Sequence, residues 1–171
     1  MDINNAAESR RLLKRYLSRY FRAKEKRAIL EDRLKQLQKE LQTDPEMTPP
    51  SSSTVSFSEN KNSTGDTSLA FQTGDIESRI RSQIEAQKKS VSEIMDILDF
   101  LPVESTERDI LEHRHIDCKT WSEICKLVHM TKSPCFERYN KALDKLLTYA
   151  KVRATLEAYE GSLAREARDS Y

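Results

Sequence analysis

Thr106–Leu147, TERDILEHRHIDCKTWSEICKLVHMTKSPCFERYNKALDKLL, sets the reading of the whole chain, because its apolar residues recur at helical spacing in three short blocks. Ile110, Leu111 and Ile116 mark the first. Thr120 is a start signal for the second, where Trp121, Ile124, Leu127 and Val128 share a face and which stops at His129-Met130. Thr131 places a hydroxyl to cap the third, and Pro134 falls in its first turn, where a missing N–H costs least. Cys135, Tyr139, Ala142, Leu143 and Leu146 then recur every three or four residues. That leaves Lys132, Ser133, Glu137, Asn140, Lys141 and Lys145 facing outward. A short helix, a tight turn and a helix with a polar outer face make a helix-turn-helix. Such a unit can enter the major groove if the first helix braces the second and its first turns carry donors and acceptors for base edges. A small helical bundle with a solvated third helix has the same spacing, so periodicity alone leaves both readings open.

The order of residues adds to the spacing. The run Glu107-Arg108-Asp109-Ile110-Leu111-Glu112-His113-Arg114-His115-Ile116-Asp117 resembles the first helix of the fourth region of sigma-70-type factors. Thr120-Trp121-Ser122-Glu123-Ile124-Cys125 is similar to that family's second helix. Thr131-Lys132-Ser133-Pro134-Cys135-Phe136-Glu137-Arg138-Tyr139-Asn140-Lys141-Ala142-Leu143 is similar to its recognition helix. The match is ungapped. Where the family usually carries Gly, Ala and Gly, this chain has Cys118, Cys125 and His129. Cysteine is small enough for the first two places. His129, at the turn, is expected to adopt a strained or left-handed backbone, which histidine does more often than most residues. The family's aromatic promoter-melting region is not visible elsewhere, so a complete sigma factor is not expected.

Working outward, residues 1–42 read as one long basic amphipathic helix. Leu13, Tyr16, Tyr20, Ala23, Arg27, Leu30, Leu34, Leu37 and Leu41 alternate at three and four, the seam of a coiled coil. After a short lead-in the rod runs from about Glu8 to Gln42, which at about 1.5 Å per residue spans roughly 50 Å and needs a partner. Residues 43–74 dissolve into Pro, Ser, Thr, Asn and Gly and read as a flexible linker. Asp75 starts a second long helix, residues 75–102, with Ile76, Ile80, Ile84, Gln87, Val91, Ile94 and Leu98 on one face and Pro102 as its stop. The two rods could pair within one chain as an antiparallel hairpin, or between two chains as a homo-oligomer. Ser105 or Thr106 caps the helix-turn-helix domain, 103–147. In the extension 148–171, Tyr149, Val152, Leu156 and Tyr159 continue at helical spacing until Gly161, either lengthening the third helix for dimerisation or folding back on the body. The expected fold is therefore all-α: a long coiled-coil-like helix pair, a small three-helix domain and a C-terminal helix.

Composition agrees with extended helices: 33% of the 171 residues are charged, 37% are hydrophobic and Gly occurs three times. The net charge of +1 points to no partner, but its distribution does. Arg10 to Arg27 holds nine basic residues against one acidic, whereas Phe100 to Asp117 holds two against five. Arg10, Arg11, Lys14, Arg15, Arg19 and Arg22 form a second basic surface, suited to phosphates or to an acidic protein. Three cysteines without paired spacing, and no secretory leader or apolar span, point to the cytoplasm and away from a membrane.

No catalytic constellation and no phosphate-cradling glycine loop is present, so no enzyme and no cofactor is expected. His113, His115, Cys118 and Cys125 cluster in sequence, but their spacing fits neither a zinc knuckle nor a finger, and no metal site is expected. Lys132, Ser133 and Glu137 are placed to touch base edges, Asn140, Lys141 and Lys145 to hold phosphates, and Trp121 to anchor the core behind them. The resemblance implies promoter DNA as one partner and RNA polymerase as another. A long helix pair ahead of a sigma-like final domain is also similar to the small late-gene regulators of the ArpU and RinA type, encoded by phages and prophages of Gram-positive bacteria, which implies a bacterial host cytoplasm. The rival class is a coiled-coil structural or DNA-packaging protein such as a small terminase subunit.

Overall fold

The structure is a computed structural model and describes residues 3–42 and 63–169. These form α1 (Ile3–Leu17), α2 (Arg19–Gln42), α3 (Ser63–Leu98), α4 (Thr106–His115), α5 (Trp121–Leu127), α6 (Lys132–Thr148) and α7 (Ala150–Asp169), with no strand among them. The chain is all-α, as its periodicity predicts.

The expected single helix over 1–42 is interrupted at Ser18, although no Gly or Pro lies there. One side-chain contact falls at the interruption: Arg19 Nε donates to the Tyr16 carbonyl at 3.1 Å, and a side chain that takes a main-chain carbonyl opens the ladder at that turn. The flanking bonds survive, Ser18 N–H to Lys14 O and Arg22 N–H to Ser18 O, both at 3.1 Å, so the helical path continues across it.

α3 begins twelve residues before its expected start at Asp75. Residues 63–74, expected as linker, are helical, while 43–62 lie outside the described residues. Gly74 does not break the helix, because a glycine costs only about 1 kcal/mol relative to alanine and nucleation has already been met upstream. Pro102 does mark the end, with Asp99, Phe100 and Leu101 closing the last turn onto Met95, Ile97 and Leu98.

The chain divides into two compact units. One joins residues 1–23 to 86–171, and the other is 24–85. The first contains the core: Leu13 and Leu17 of α1, Ile94 and Leu98 of α3, Ile110 and Leu111 of α4, Ile124 of α5, Leu143 and Leu146 of α6, and Val152 and Leu156 of α7. Each such burial stabilises by about 1.5–3 kcal/mol. The small domain therefore does not stop at 103–147. Three short helices bury too little surface alone, and α1, the end of α3 and α7 complete the core. Within this unit α2 and α3 pair antiparallel in the same chain: Arg19 meets Glu93 at 2.7 Å, and Gln87 Nε2 donates to the Ala23 carbonyl at 3.1 Å. In the second unit Leu30 is buried, while Leu34, Leu37, Ile76, Ile80 and Ile84 are half-buried. Arg27–Glu31 at 2.7 Å and Arg79–Asp75 at 2.8 Å brace its helices along their own faces.

α7 is a separate helix that packs back on the body. Tyr149 leaves helical geometry at φ −79°, ψ 125°, and Arg153 Nη1 closes the end of α6 through the carbonyls of Leu147 and Thr148, at 2.9 and 2.8 Å. The helix runs past Gly161 to Asp169, again because one glycine is too weak a breaker. Tyr159 rests edge-on against Tyr16, ring centroids 5.2 Å apart.

Two buried polar side chains tie these helices together. Arg108 at the head of α4 bonds Glu112 at 2.6 Å, Asp99 at 2.7 Å and the Leu101 carbonyl at 3.4 Å, which locks α4 to the end of α3. His115, 4% exposed, has its Nε2 3.1 Å from the Tyr139 hydroxyl, and the tautomer that leaves Nε2 unprotonated accepts there from the phenol. Burial, with help from the nearby Arg114 charge, pushes His115 down to about 4. The folded protein thus holds a neutral imidazole that the unfolded chain protonates below about pH 6.5. Stability is full above that pH and is expected to fall by up to about 3 kcal/mol as pH drops from 6.5 towards 4. Urea unfolding at pH 7.5 and at pH 5.5, where carboxylates still contribute little, should show the loss, and His115→Gln should remove most of that difference.

Candidate nucleic-acid interface

α5 and α6 are set by local signals. Thr120 and Glu123 form a reciprocal cap on α5: the Thr120 N–H donates to the Glu123 carboxylate at 2.7 Å and the Glu123 N–H to the Thr120 hydroxyl at 3.4 Å. The Thr120 hydroxyl and N–H hold the Glu123 carboxyl below the usual range. Ser105 caps α4 by accepting from the Arg108 N–H at 3.3 Å. Thr131 occupies the capping position of α6 but makes no side-chain cap bond, contrary to expectation.

The exit from α5 depends on His129. The Met130 N–H reaches the Cys125 carbonyl at 2.9 Å and the His129 N–H reaches Lys126 at 3.3 Å, a Schellman closure that needs a left-handed residue between them. His129 is that residue, at φ 52°. Cys118, between α4 and α5, also has a positive φ of 58°. The demand at Cys118 is thus one of backbone conformation rather than of side-chain size.

Behind α6, Ile124 is fully buried and acts as the anchor of α5. Trp121, expected in that role, is half-buried at the first position of its helix. It lies 4.2 Å from the Phe136 ring and 5.1 Å, edge-on, from Tyr139, with the Arg114 guanidinium 5.4 Å from its own ring. It clamps α5 onto α6 from the rim of the core. On the α4 side, Arg138 of α6 pairs with Glu107 at 3.0 Å.

Along α6 the buried stripe is Cys135, Tyr139, Ala142, Leu143, Leu146 and Leu147. Ser133, Glu137 and Lys141, one turn apart, lie on the opposite face and are exposed, as are Lys132 and Lys145. Lys132 Nζ is 5.9 Å from the Phe136 ring centre, on the flank next to α5. Asn140 departs from expectation. It is half-buried and its Oδ1 accepts from Lys14 Nζ at 3.3 Å, because α1 packs along that flank of α6.

The same packing divides the basic surface of the N-terminal helix. Arg10 pairs with Asp144 of α6, Nη2 to Oδ2 at 2.8 Å. Arg19 is tied to Glu93 and lies over the Tyr16 ring at 3.7 Å. Lys14 is held by Asn140 and sits 5.4 Å from the Tyr139 ring. Arg11, Arg15 and Arg22 remain exposed and form no ion pair among the described residues. Neither Arg108 nor the Arg10–Asp144 contact was legible in the sequence. The Arg108–Glu112 spacing of four was the one available signal, and Asp99 lies in the turn that follows α3.

His113, expected to be no ligand, bonds Asp117 at 2.7 Å. No group of three or more His, Cys, Asp or Glu among the described residues is placed to hold a metal. Cys135 is buried beside Cys125, and burial pushes its thiol up to about 11. No described helix is long and apolar enough to cross a membrane. A scan against protein-family models and searches of curated proteins and of solved structures return no match to this chain.

His129→Gly should stabilise the fold by about 0.5–1 kcal/mol: it relieves a left-handed cost of roughly 1–2 kcal/mol but adds unfolded-chain entropy. His129→Val, β-branched, should destabilise it instead. Denaturant midpoints of the two variants, measured against the parent, check the sign. Arg108→Met, which leaves the half-exposed Asp99 and Glu112 to water, should cost about 1–3 kcal/mol in the same measurement.

Proposed function

We propose that the chain is a sequence-specific DNA-binding transcription regulator that reads duplex DNA with α6 as a recognition helix. One observation carries the reading: Lys132, Ser133 and Glu137 occupy the first two turns of a helix whose opposite face is wholly buried, and nothing among the described residues covers them. A helix of this kind can enter a groove about 12 Å wide and present its first turns to base edges. Lysine suits guanine O6 and N7, and glutamate accepts from the cytosine amino group. Lys141 and Lys145, further along the exposed face, are suited to phosphates. Asn140 is committed to Lys14 and is a poorer candidate.

The left-handed backbone at Cys118 and His129 further supports the likeness to sigma region 4, since a chain without glycine there still makes both turns. On that likeness the DNA is a promoter, RNA polymerase is the second partner, and the protein works without catalysis, cofactor or metal in the cytoplasm of a bacterial host, as phage late-gene regulators do.

Selection from a random duplex pool followed by mobility shift tests the proposal. A consensus should be recovered. Lys132→Ala with Glu137→Ala should weaken binding to it at least about thirtyfold and flatten the preference, since each of the two base contacts discriminates by about 1–3 kcal/mol. Changes within 43–62 should leave it intact. Recovery of no consensus would remove the regulator reading and favour the DNA-packaging or structural class.

A further inference from the structure

We propose that α1 is a second DNA-contacting element, whose outer face takes the sugar-phosphate strand bordering the groove that α6 enters. The inference rests on the reading of α6 as a recognition helix and adds a partner surface that the likeness to sigma region 4 does not supply.

The placement follows from two contacts. Arg10 meets Asp144 and Lys14 meets Asn140, so α1 runs antiparallel along α6, with its C-terminal turns towards the end of α6 that carries Lys132 and Ser133. Asn140 and Asp144 flank the exposed stripe Ser133–Glu137–Lys141 on one side. The core-facing side of α1 is Leu13, Tyr16 and Leu17. Beyond the α6 edge at Lys14, its solvent face carries Arg11, Arg15 and, continuing onto α2, Arg22. These residues line one shallow cavity of about 540 Å³ with Leu12 and Ser18, and the acids Glu8 and Glu160 also lie on its border.

Scale makes the occupant specific. Packed helices lie about 8–10 Å apart, and the major groove is about 12 Å wide. A helix flanking one that is centred in the groove therefore lies over a bounding strand. The phosphates there meet three guanidinium groups with no carboxylate partner among the described residues, and arginine binds phosphate in a bidentate fork. Arg10, Lys14 and Arg19, spent on internal contacts, fix the helix that presents them.

The test uses the full chain and fluorescein-labelled duplexes, one carrying the selected consensus and one scrambled, with anisotropy read between about 50 and 200 mM salt. Arg11→Gln, Arg15→Gln and Arg22→Gln together should lower the slope of log K against log salt by about 2–3, near 0.9 for each phosphate released. Affinity for both duplexes should fall at least tenfold, leaving the preference between them unchanged. The triple lysine variant at the same positions should keep the slope, because the slope counts charge. If the glutamine variant retains the parent's slope and affinity while the parent discriminates between the duplexes, α1 does not touch DNA and the α6 reading stands; an acidic protein then becomes the better occupant. If the parent binds neither duplex, both proposals fall.

Discussion

Tyr139 is the side chain on which the arrangement around α6 depends. Its ring lies in the core and its hydroxyl must find a partner away from water, which His115 of α4 supplies at 3.1 Å. Burial pushes the phenol up to about 12, so it remains a neutral donor. Trp121 of α5 meets the same ring edge-on and Lys14 of α1 lies above it. One residue of α6 thus touches α4, α5 and α1, and the rotation of α6 about its axis is set by those three contacts. That rotation turns Ser133, Glu137 and Lys141 outward together.

Lys14, which lies over the Tyr139 ring and is bonded to Asn140, extends the constraint to the N-terminal helix. The rod is interrupted at Ser18, and on either side of it α1 serves the core while the first turn of α2 pairs with α3. Arg108 plays the matching part at the other end of α4, tying it to the last turn of α3.

Charge is distributed along the same lines. Where a basic residue of the N-terminal helix faces α6 or α3 it meets an acid or an amide: Arg10 with Asp144, Arg19 with Glu93, Lys14 with Asn140. Where it faces solvent it has no such partner, as at Arg11, Arg15 and Arg22. Exposed pairs contribute little to stability, so the contact made by Arg10 matters more for orientation than for energy. The unpaired face is where a polyanion would find counter-charge.

What the residues determined by themselves is local. The caps at Ser105 and Thr120, the stop at Pro102, the periodic faces of α4 to α6 and the left-handed turn at His129 all follow from interactions within a few positions, which a linear pattern records. The tertiary structure decided whatever depends on partners far apart in the chain. It folded α1, the end of α3 and α7 into one core with the small domain, interrupted a rod that contains no breaker, carried Asn140 away from solvent, moved the anchor of α5 from Trp121 to Ile124, and sorted six basic residues into bonded and exposed sets. A heptad or a basic run specifies that a face must be covered or neutralised. Only packing specifies by which helix, because the side chains that answer it lie far along the chain, as Glu93 does from Arg19 and Asp144 from Arg10.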